Sequence, residues 1–239
     1  MLHHVKGIVL RTTKYTDNSV IVNVYTNLFG LQAYMVRGVH SRTSKVKVNY
    51  FQPLAVLDMV VTKSSKHKLE RINEVTSGKT TTSNFDFVKN SIALFLNELL
   101  YKTLKEEEKN PGLFEFLISA FEILGLKETG AANFHLTFML KYSQYLGFYP
   151  TTNYSATNKV FDLAEGRFLC EPPTHHIYYL NEPLAKHINN LMNTKFETCE
   201  QLAITNVERK QLITALLNYY KLHHVLSTDL VSQTVLEQL

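Results

Sequence analysis

Val20-Ile21-Val22-Asn23-Val24-Tyr25 is the stretch on which the reading of the fold turns. Val20, Val22 and Val24 alternate with Ile21, Asn23 and Tyr25, a period of two that puts the two sets on opposite faces of an extended chain. Working outward, Val5 to Leu10 is equally rich in β-branched residues, and after Gly30 the set Leu31, Ala33 and Met35 alternates with Gln32, Tyr34 and Val36. A fourth run spans Leu54 to Thr62, and the polar break Lys63-Ser64-Ser65-Lys66 leads to a fifth, Lys68 to Val75. Five short strands in succession predict a small closed or partly closed barrel, of which the five-stranded OB-fold is the economical example.

The period changes beyond Asn84. Val88, Ile92, Phe95, Leu99 and Leu104 recur at helical spacing, followed by helical pattern at Leu113 to Leu124, closed by Gly125, and at Asn133 to Leu146, closed by Gly147 with Pro150 beyond. Between about 150 and 183 the pattern breaks into Phe161, Leu163, Phe168 and Leu169 around Glu165-Gly166, then Ile177 to Leu180, which reads as a small β-like insertion. Helices resume at Leu184 to Met192, Asn206 to His224 and Asp229 to Leu236. The class is α+β, with a barrel domain at 1–80 and a mainly helical domain at 81–239 that carries the insertion.

Charge divides along the same line. Residues 1–80 hold 12 Lys and Arg against Asp17, Asp58, Glu70 and Glu74, a net +8, and the remaining 13 basic and 17 acidic residues give −4, for the whole-chain value of +4. Such asymmetry points to a polyanionic partner for the first half. The bases also cluster: Arg37, His40, Arg42, Lys45 and Lys47 in one stretch, and Lys63, Lys66, Lys68 and Arg71 in another. The expected nucleic-acid contacts are Arg11, Lys14, Arg37, His40, Arg42, Lys45, Lys47, Lys66 and Lys68. Lys and Arg neutralise phosphates and release counterions; neutralising about 6 of them gives a slope of log affinity against log salt near −5 on duplex DNA. Tyr15, Tyr25, Tyr34, Tyr50 and Phe51 are the rings available for stacking on unpaired bases, although most serve the core or strand pairing.

Several other chemistries lack support. Cys170 and Cys199 are too few for a disulfide framework or a zinc cluster, which fits a reducing cytoplasm. No apolar run approaches the roughly 20 residues that span a bilayer, and the start, with His3, His4 and Lys6, lacks the apolar core of a signal peptide. Gly78-Lys79-Thr80 imitates the end of a phosphate-binding loop, but Asn73 stands where its first glycine is needed and Thr81 to Asn84 do not read as a helix. The pairs His3-His4, His175-His176 and His223-His224 are sequence neighbours that point apart, and Lys105-Glu106-Glu107-Glu108-Lys109 reads as a charged helix end. No catalytic residue, cofactor or metal ligand is therefore assigned, and no enzymatic activity is expected.

The ordered motifs Gly7-Ile8-Val9-Leu10, Tyr15 with Asp17, Ile21-Val22, Tyr25-Thr26, Gly30-Leu31, Arg37-Gly38 and Phe51-Gln52-Pro53-Leu54 resemble the RecO family of bacterial recombination mediators. Phe138 and Leu140 leading to Tyr145-Leu146-Gly147-Phe148-Tyr149-Pro150, then Phe161-Asp162-Leu163, Glu165-Gly166, Phe168, Tyr219-Tyr220 and Leu222-His223, extend the likeness along nearly the whole chain. The resemblance implies an OB-fold followed by a helical domain, binding of single- and double-stranded DNA, and annealing of complementary strands. It also implies partnership with RecR and with the C-terminal tail of single-stranded DNA-binding protein in loading RecA, all in the cytoplasm at the nucleoid.

The chain departs from the family's pattern in two places. Many members carry two Cys-x-x-Cys pairs in the insertion; here Cys170 stands alone, Pro173 occupies its partner position and Asn153 to Ala156 contain no cysteine, so no bound zinc is expected. Some members begin the helix leading to Leu146 with arginines that hold the acidic tail, where this chain reads Ala131-Ala132-Asn133-Phe134-His135 with Lys141 nearby. The alternatives to a DNA-binding mediator are a protein-interaction adaptor without intrinsic DNA binding and, more remotely, a nucleotide-binding enzyme. Charge reversal at Arg37, Arg42, Lys45 and Lys47 separates the first from the mediator, and an assay for ATP binding removes or supports the second.

Overall fold

Alternation of inward and outward residues builds the first half of the molecule. The computed structural model describes residues 1–39, 46, 48–63, 69–79, 86–105, 107–128 and 130–236, excepting the side chains of 76–79. Strands β1 (Leu2–Thr16), β2 (Ser19–Thr26), β3 (Gly30–Arg37), β4 (Val56–Thr62) and β5 (Glu70–Lys79) close into a barrel in the order β1-β2-β3-β5-β4. All pairings are antiparallel except β3 with β5, a short parallel contact at Tyr34–Glu70 and Met35–Arg71. Val5 and Val9 of β1, Val20, Val22 and Val24 of β2, Tyr34 and Val36 of β3, Leu57, Met59 and Val61 of β4 and Ile72 of β5 fill the interior. Val39 and Val46 join the same core.

Several strand limits differ from the sequence expectation, among them the end of β5, expected at Val75 and found at Lys79. β1 runs through the polar residues Arg11 to Thr16, because that half pairs with β2 while presenting side chains that need no burial. β4 begins at Val56 rather than Leu54, since Leu54 adopts a left-handed φ of 61° in a turn that donates its N–H to the Val9 carbonyl (2.8 Å). Gly78 and Lys79 lie in the β4–β5 ladder opposite Leu57 and Val56, not in a loop before a helix. A phosphate-binding loop needs its main-chain N–H groups free to converge on the anion, so this placement removes the imitation.

The chain divides into two compact units, Met1–Gly125 and Leu126–Leu239. In the first, helices α1 (Phe87–Thr103) and α2 (Pro111–Leu126) accompany the barrel. Asp86 caps α1 by accepting the Lys89 N–H at 2.8 Å, and Asn110 caps α2 by accepting that of Leu113 at 3.0 Å. Gly125, expected as the stop of α2, sits within its last turn. Both helices pack on the outer surface of the barrel, where Phe114 meets Tyr25 at 6.2 Å between centroids and Asn97 donates to the Leu10 carbonyl at 2.9 Å.

The second unit is built around α3 (Phe134–Tyr145), whose Phe134, Leu136, Phe138, Met139, Leu140 and Tyr142 are all buried, so it is covered on every side. Strands β6 (Val160–Asp162), β7 (Arg167–Leu169) and β8 (Tyr179–Leu180) form a small antiparallel sheet in the order β7-β6-β8. Helices α4 (Leu184–Asn193), α5 (Asn206–Leu222) and α6 (Gln233–Leu236) complete the unit. Thr205 and Glu208 form a reciprocal capping box at the start of α5. From its end Tyr220 donates to the Met139 carbonyl at 2.7 Å and Tyr219 to that of Phe148.

Candidate nucleic-acid interface

Cross-strand partners share a face of the sheet, so the register divides the outer surface of β1, β2 and β3 into two parts. At one end Ile8 and Tyr25 are opposite one another and almost inaccessible, and Leu10 is buried nearby, beneath α1 and α2. At the other end two rows are more open among the described residues, with Tyr101 of α1 reaching Arg11 at their margin: Arg11, Asn23 and Ala33, then Thr13, Ile21 and Met35, the last opposite Arg71 of β5. Arg37, opposite Ser19, extends the face along β3.

Arg11, Thr13, Arg37 and Arg71 are exposed, and Ile21, Asn23, Ala33 and Met35 are half-buried. Three guanidinium groups, the aliphatic surfaces of Ile21 and Met35 and no carboxylate in these rows make a shelf that can pair with phosphates and lay bases against apolar atoms. Arginine suits this use, because its fork of N–H donors matches phosphate oxygens.

The expected contact residues separate on this geometry. Arg11 and Arg37 belong to the more open face. Lys14 stands opposite Val20, whose row lines the interior, and its Nζ pairs with Asp17 Oδ1 at 2.7 Å at the tip of the β1–β2 hairpin. His40, Arg42, Lys45, Lys47, Lys66 and Lys68 lie outside the described residues. Arg71, part of a basic run in the sequence but without an assigned contact, reaches the face only because β3 and β5 pair in parallel, and no local sequence signal announces that closure.

Of the candidate rings, Tyr25, Tyr34 and Phe51 are core residues, whereas Tyr15 is 59% exposed and Tyr50 37%. Burial, followed by the charge of Glu70, raises the Tyr34 phenol well above its ordinary pKa, as expected of a ring inside the barrel.

In the helical unit, Asn133 at the start of α3 donates to the carbonyls of Cys199 (3.0 Å) and Leu202 (2.9 Å) and accepts from Arg209 Nε at 3.2 Å. Arg209 thus brings a guanidinium from α5 to a place where the local sequence offers none. Burial lowers the pKa of Arg209, that of Lys141, where Glu197 opposes the effect, and that of His135, which falls to about 3 through burial and then the nearby Arg209 charge.

The insertion is tied without a thiolate cluster. Asn153 exchanges two hydrogen bonds with the Phe168 main chain (2.8 and 2.9 Å), Asp162 accepts from the N–H groups of Ala164 and Glu165 and faces His176 at 3.4 Å, and Tyr154 donates to Glu182. With Cys170 as its sole thiol, this donor set does not fit a four-thiolate zinc site. Among the described residues no group of three or more His, Cys, Asp or Glu is placed to hold a metal ion, and no helix is long and apolar enough to cross a membrane.

Comparison with known proteins finds matches along nearly the whole chain. The family model described as "Recombination protein O N terminal" matches residues 1–80, and that described as "Recombination protein O C terminal" matches residues 84–228. The chain belongs to the RecO family. A protein of Phocaeicola vulgatus named DNA repair protein RecO is 35% identical over 93% of this chain and 92% of its own length. Proteins of the same name from Flavobacterium psychrophilum (36% identical; 91% of this chain, 90% of the relative) and Bacteroides fragilis (34%; 93% of both) extend the likeness. As in the RecO family's N-terminal domain, the barrel here is OB-fold-like.

Proposed function

We propose that this RecO-family chain binds single- and double-stranded DNA through the more open part of the outer face of β1, β2 and β3, with residues 1–80 as the nucleic-acid-binding domain. The observation that carries this reading is the convergence of Arg11, Arg37 and Arg71 on one face, in rows that hold no acidic residue and beside the half-buried Ile21 and Met35. His40, Arg42, Lys45, Lys47, Lys66 and Lys68 supply further positive charge to the same domain, and Lys14 adds a weaker contribution because Asp17 already pairs with it.

Contacts of this kind address the backbone, which two complementary strands share. A protein that neutralises both can bring them together, so annealing follows from the same surface. The chain acts without chemistry of its own as a recombination mediator in the cytoplasm at the nucleoid. It helps load RecA onto DNA coated by single-stranded DNA-binding protein, with RecR and the C-terminal tail of that protein as partners. Membership of the RecO family supports this assignment.

Salt dependence tests the electrostatic core of the proposal. With about 6 phosphates neutralised, log affinity for duplex DNA falls with log salt at a slope near −5. The double variant Arg37→Glu, Arg71→Glu is expected to flatten the slope and weaken binding of both DNA forms. A wild-type slope near zero would overturn the reading.

One observation favours an additional protein-docking role. A groove of about 570 Å³ in the helical unit runs between Ile177 to Leu180 and the α5 residues Lys210, Gln211 and Thr214, and Ile177 there is 83% exposed. If the charge-reversed double variant keeps full affinity for single strands, the adaptor reading replaces the mediator one.

A further inference from the structure

Among the described residues, Arg11 is the arginine of this face that another element already engages. Its Nη1 donates to Tyr101 Oη at 3.0 Å, and its guanidinium carbon lies 4.9 Å from the centre of the Tyr101 ring. Tyr101 belongs to α1, beyond the barrel, and is half-buried. The register gives this contact its meaning. β1 pairs Val9 with Val24 and Arg11 with Asn23, leaving Leu10 as an extra residue between them, a bulge of the kind that re-aims the following side chain. Asn97, one turn before Tyr101 on the same face of α1, holds the Leu10 carbonyl at 2.9 Å. The helix therefore grips the bulge at two successive residues, by main chain at Leu10 and by side chain at Arg11.

The geometry points to Tyr101 as a positioning residue for nucleic-acid binding, which acts through Arg11. This inference rests on the DNA-binding reading of the face. A free arginine loses rotamer freedom when it closes on a phosphate. Arg11, held by a hydrogen bond and a cation–π contact, has lost much of that freedom in the free protein and keeps further N–H donors for an anion. The charge belongs to Arg11 and the orientation to Tyr101, so the two contributions are separable by experiment.

The test uses the full chain and a labelled oligothymidine, with Kd measured across a salt series for the wild type, Tyr101→Phe, Tyr101→Ala, Arg11→Ala and the Arg11→Ala/Tyr101→Ala double variant. Loss of the hydrogen bond and the ring contact together predicts about a threefold rise in Kd for Tyr101→Ala, with a smaller rise for Tyr101→Phe, which loses the hydrogen bond and keeps the ring. Neither Tyr101 variant changes the salt slope, because no charge is removed. Arg11→Ala lowers the slope by about 0.7 on single strands. The double variant matches Arg11→Ala.

A purely structural role for Tyr101 lowers thermal stability and leaves the same loss of affinity in both backgrounds, which overturns the inference, as does wild-type affinity in Tyr101→Ala. If the wild type itself fails to bind the oligothymidine, the DNA-binding reading falls and takes this inference with it. If the wild type binds and only the coupling is missing, the positioning role falls alone.

Discussion

At the scale of single residues, two positions show how narrowly the interior is set. Gly7 points into the barrel, where an added Cβ would meet Val24 Cγ1 and approach Met59 Cε to 2.9 Å. Met59 can swing its methyl aside, but the branched Val24 cannot. Gly7→Ala should therefore cost about 1–3 kcal/mol, the usual range for overpacking a filled core, measured by denaturant unfolding with an unchanged m-value. His135 provides a pH test. Its pKa is about 3 in the fold against 6.5 when unperturbed, so the unfolded chain takes up a proton that the folded one refuses. The associated stability is complete above pH 6.5 and is lost as pH falls from there toward 3, at about 1.4 kcal/mol per pH unit in the middle of that window. A neutral replacement, His135→Gln, should show a shallower loss of stability than the wild type over the same range.

The residue scale also shows where the sequence stops informing. Arg11 and Arg37 are visible as bases in a strand-rich half, and the structure puts both on one face. That Arg11 is held by a tyrosine from a different element follows from a bulge and a helix packing together, and neither leaves a trace in local composition. The separation of Lys14 from them follows from the same bulge, after which regular alternation puts Thr12 and Lys14 opposite Val22 and Val20 on the inward rows.

At the scale of elements, period-two alternation identified the barrel strands and period-3.6 spacing the long helices, because in each case burial of one face makes the pattern. Limits were legible where a side chain caps a helix, as at the start of α5, and less so where tertiary pairing sets them. Polar Arg11 to Thr16 extend β1 because β2 offers a partner, and α6 spans only Gln233–Leu236 of the stretch from Asp229 that reads as helical. The short parallel contact between β3 and β5 lay furthest from view, yet it places Arg71 beside Met35. Its few main-chain bonds predict that amides of β3 near Tyr34 and Met35 exchange with solvent faster than those of β2 opposite β1, as measured by native-state hydrogen exchange.

At the scale of the molecule, the division of charge is the property most readily read from the chain, and it coincides with the end of the first family match at residue 80. Composition alone supports some polyanion; the closed barrel turns that into a surface with an orientation. Compactness draws its line later, at Gly125, because α1 and α2 pack on the barrel and roof one end of its outer face.

Closure of the barrel carries a consequence for recognition. Every strand has two neighbours, although β1 meets β4 only from Leu2 to Ile8 and β3 meets β5 at two residue pairs, so little edge is offered to which another extended chain could be added. What binds this half is then met largely by side chains, and guanidinium groups that meet phosphate oxygens carry no sequence information. On the proposed DNA-binding reading, indifference to base sequence is a property of the topology as much as of the charge.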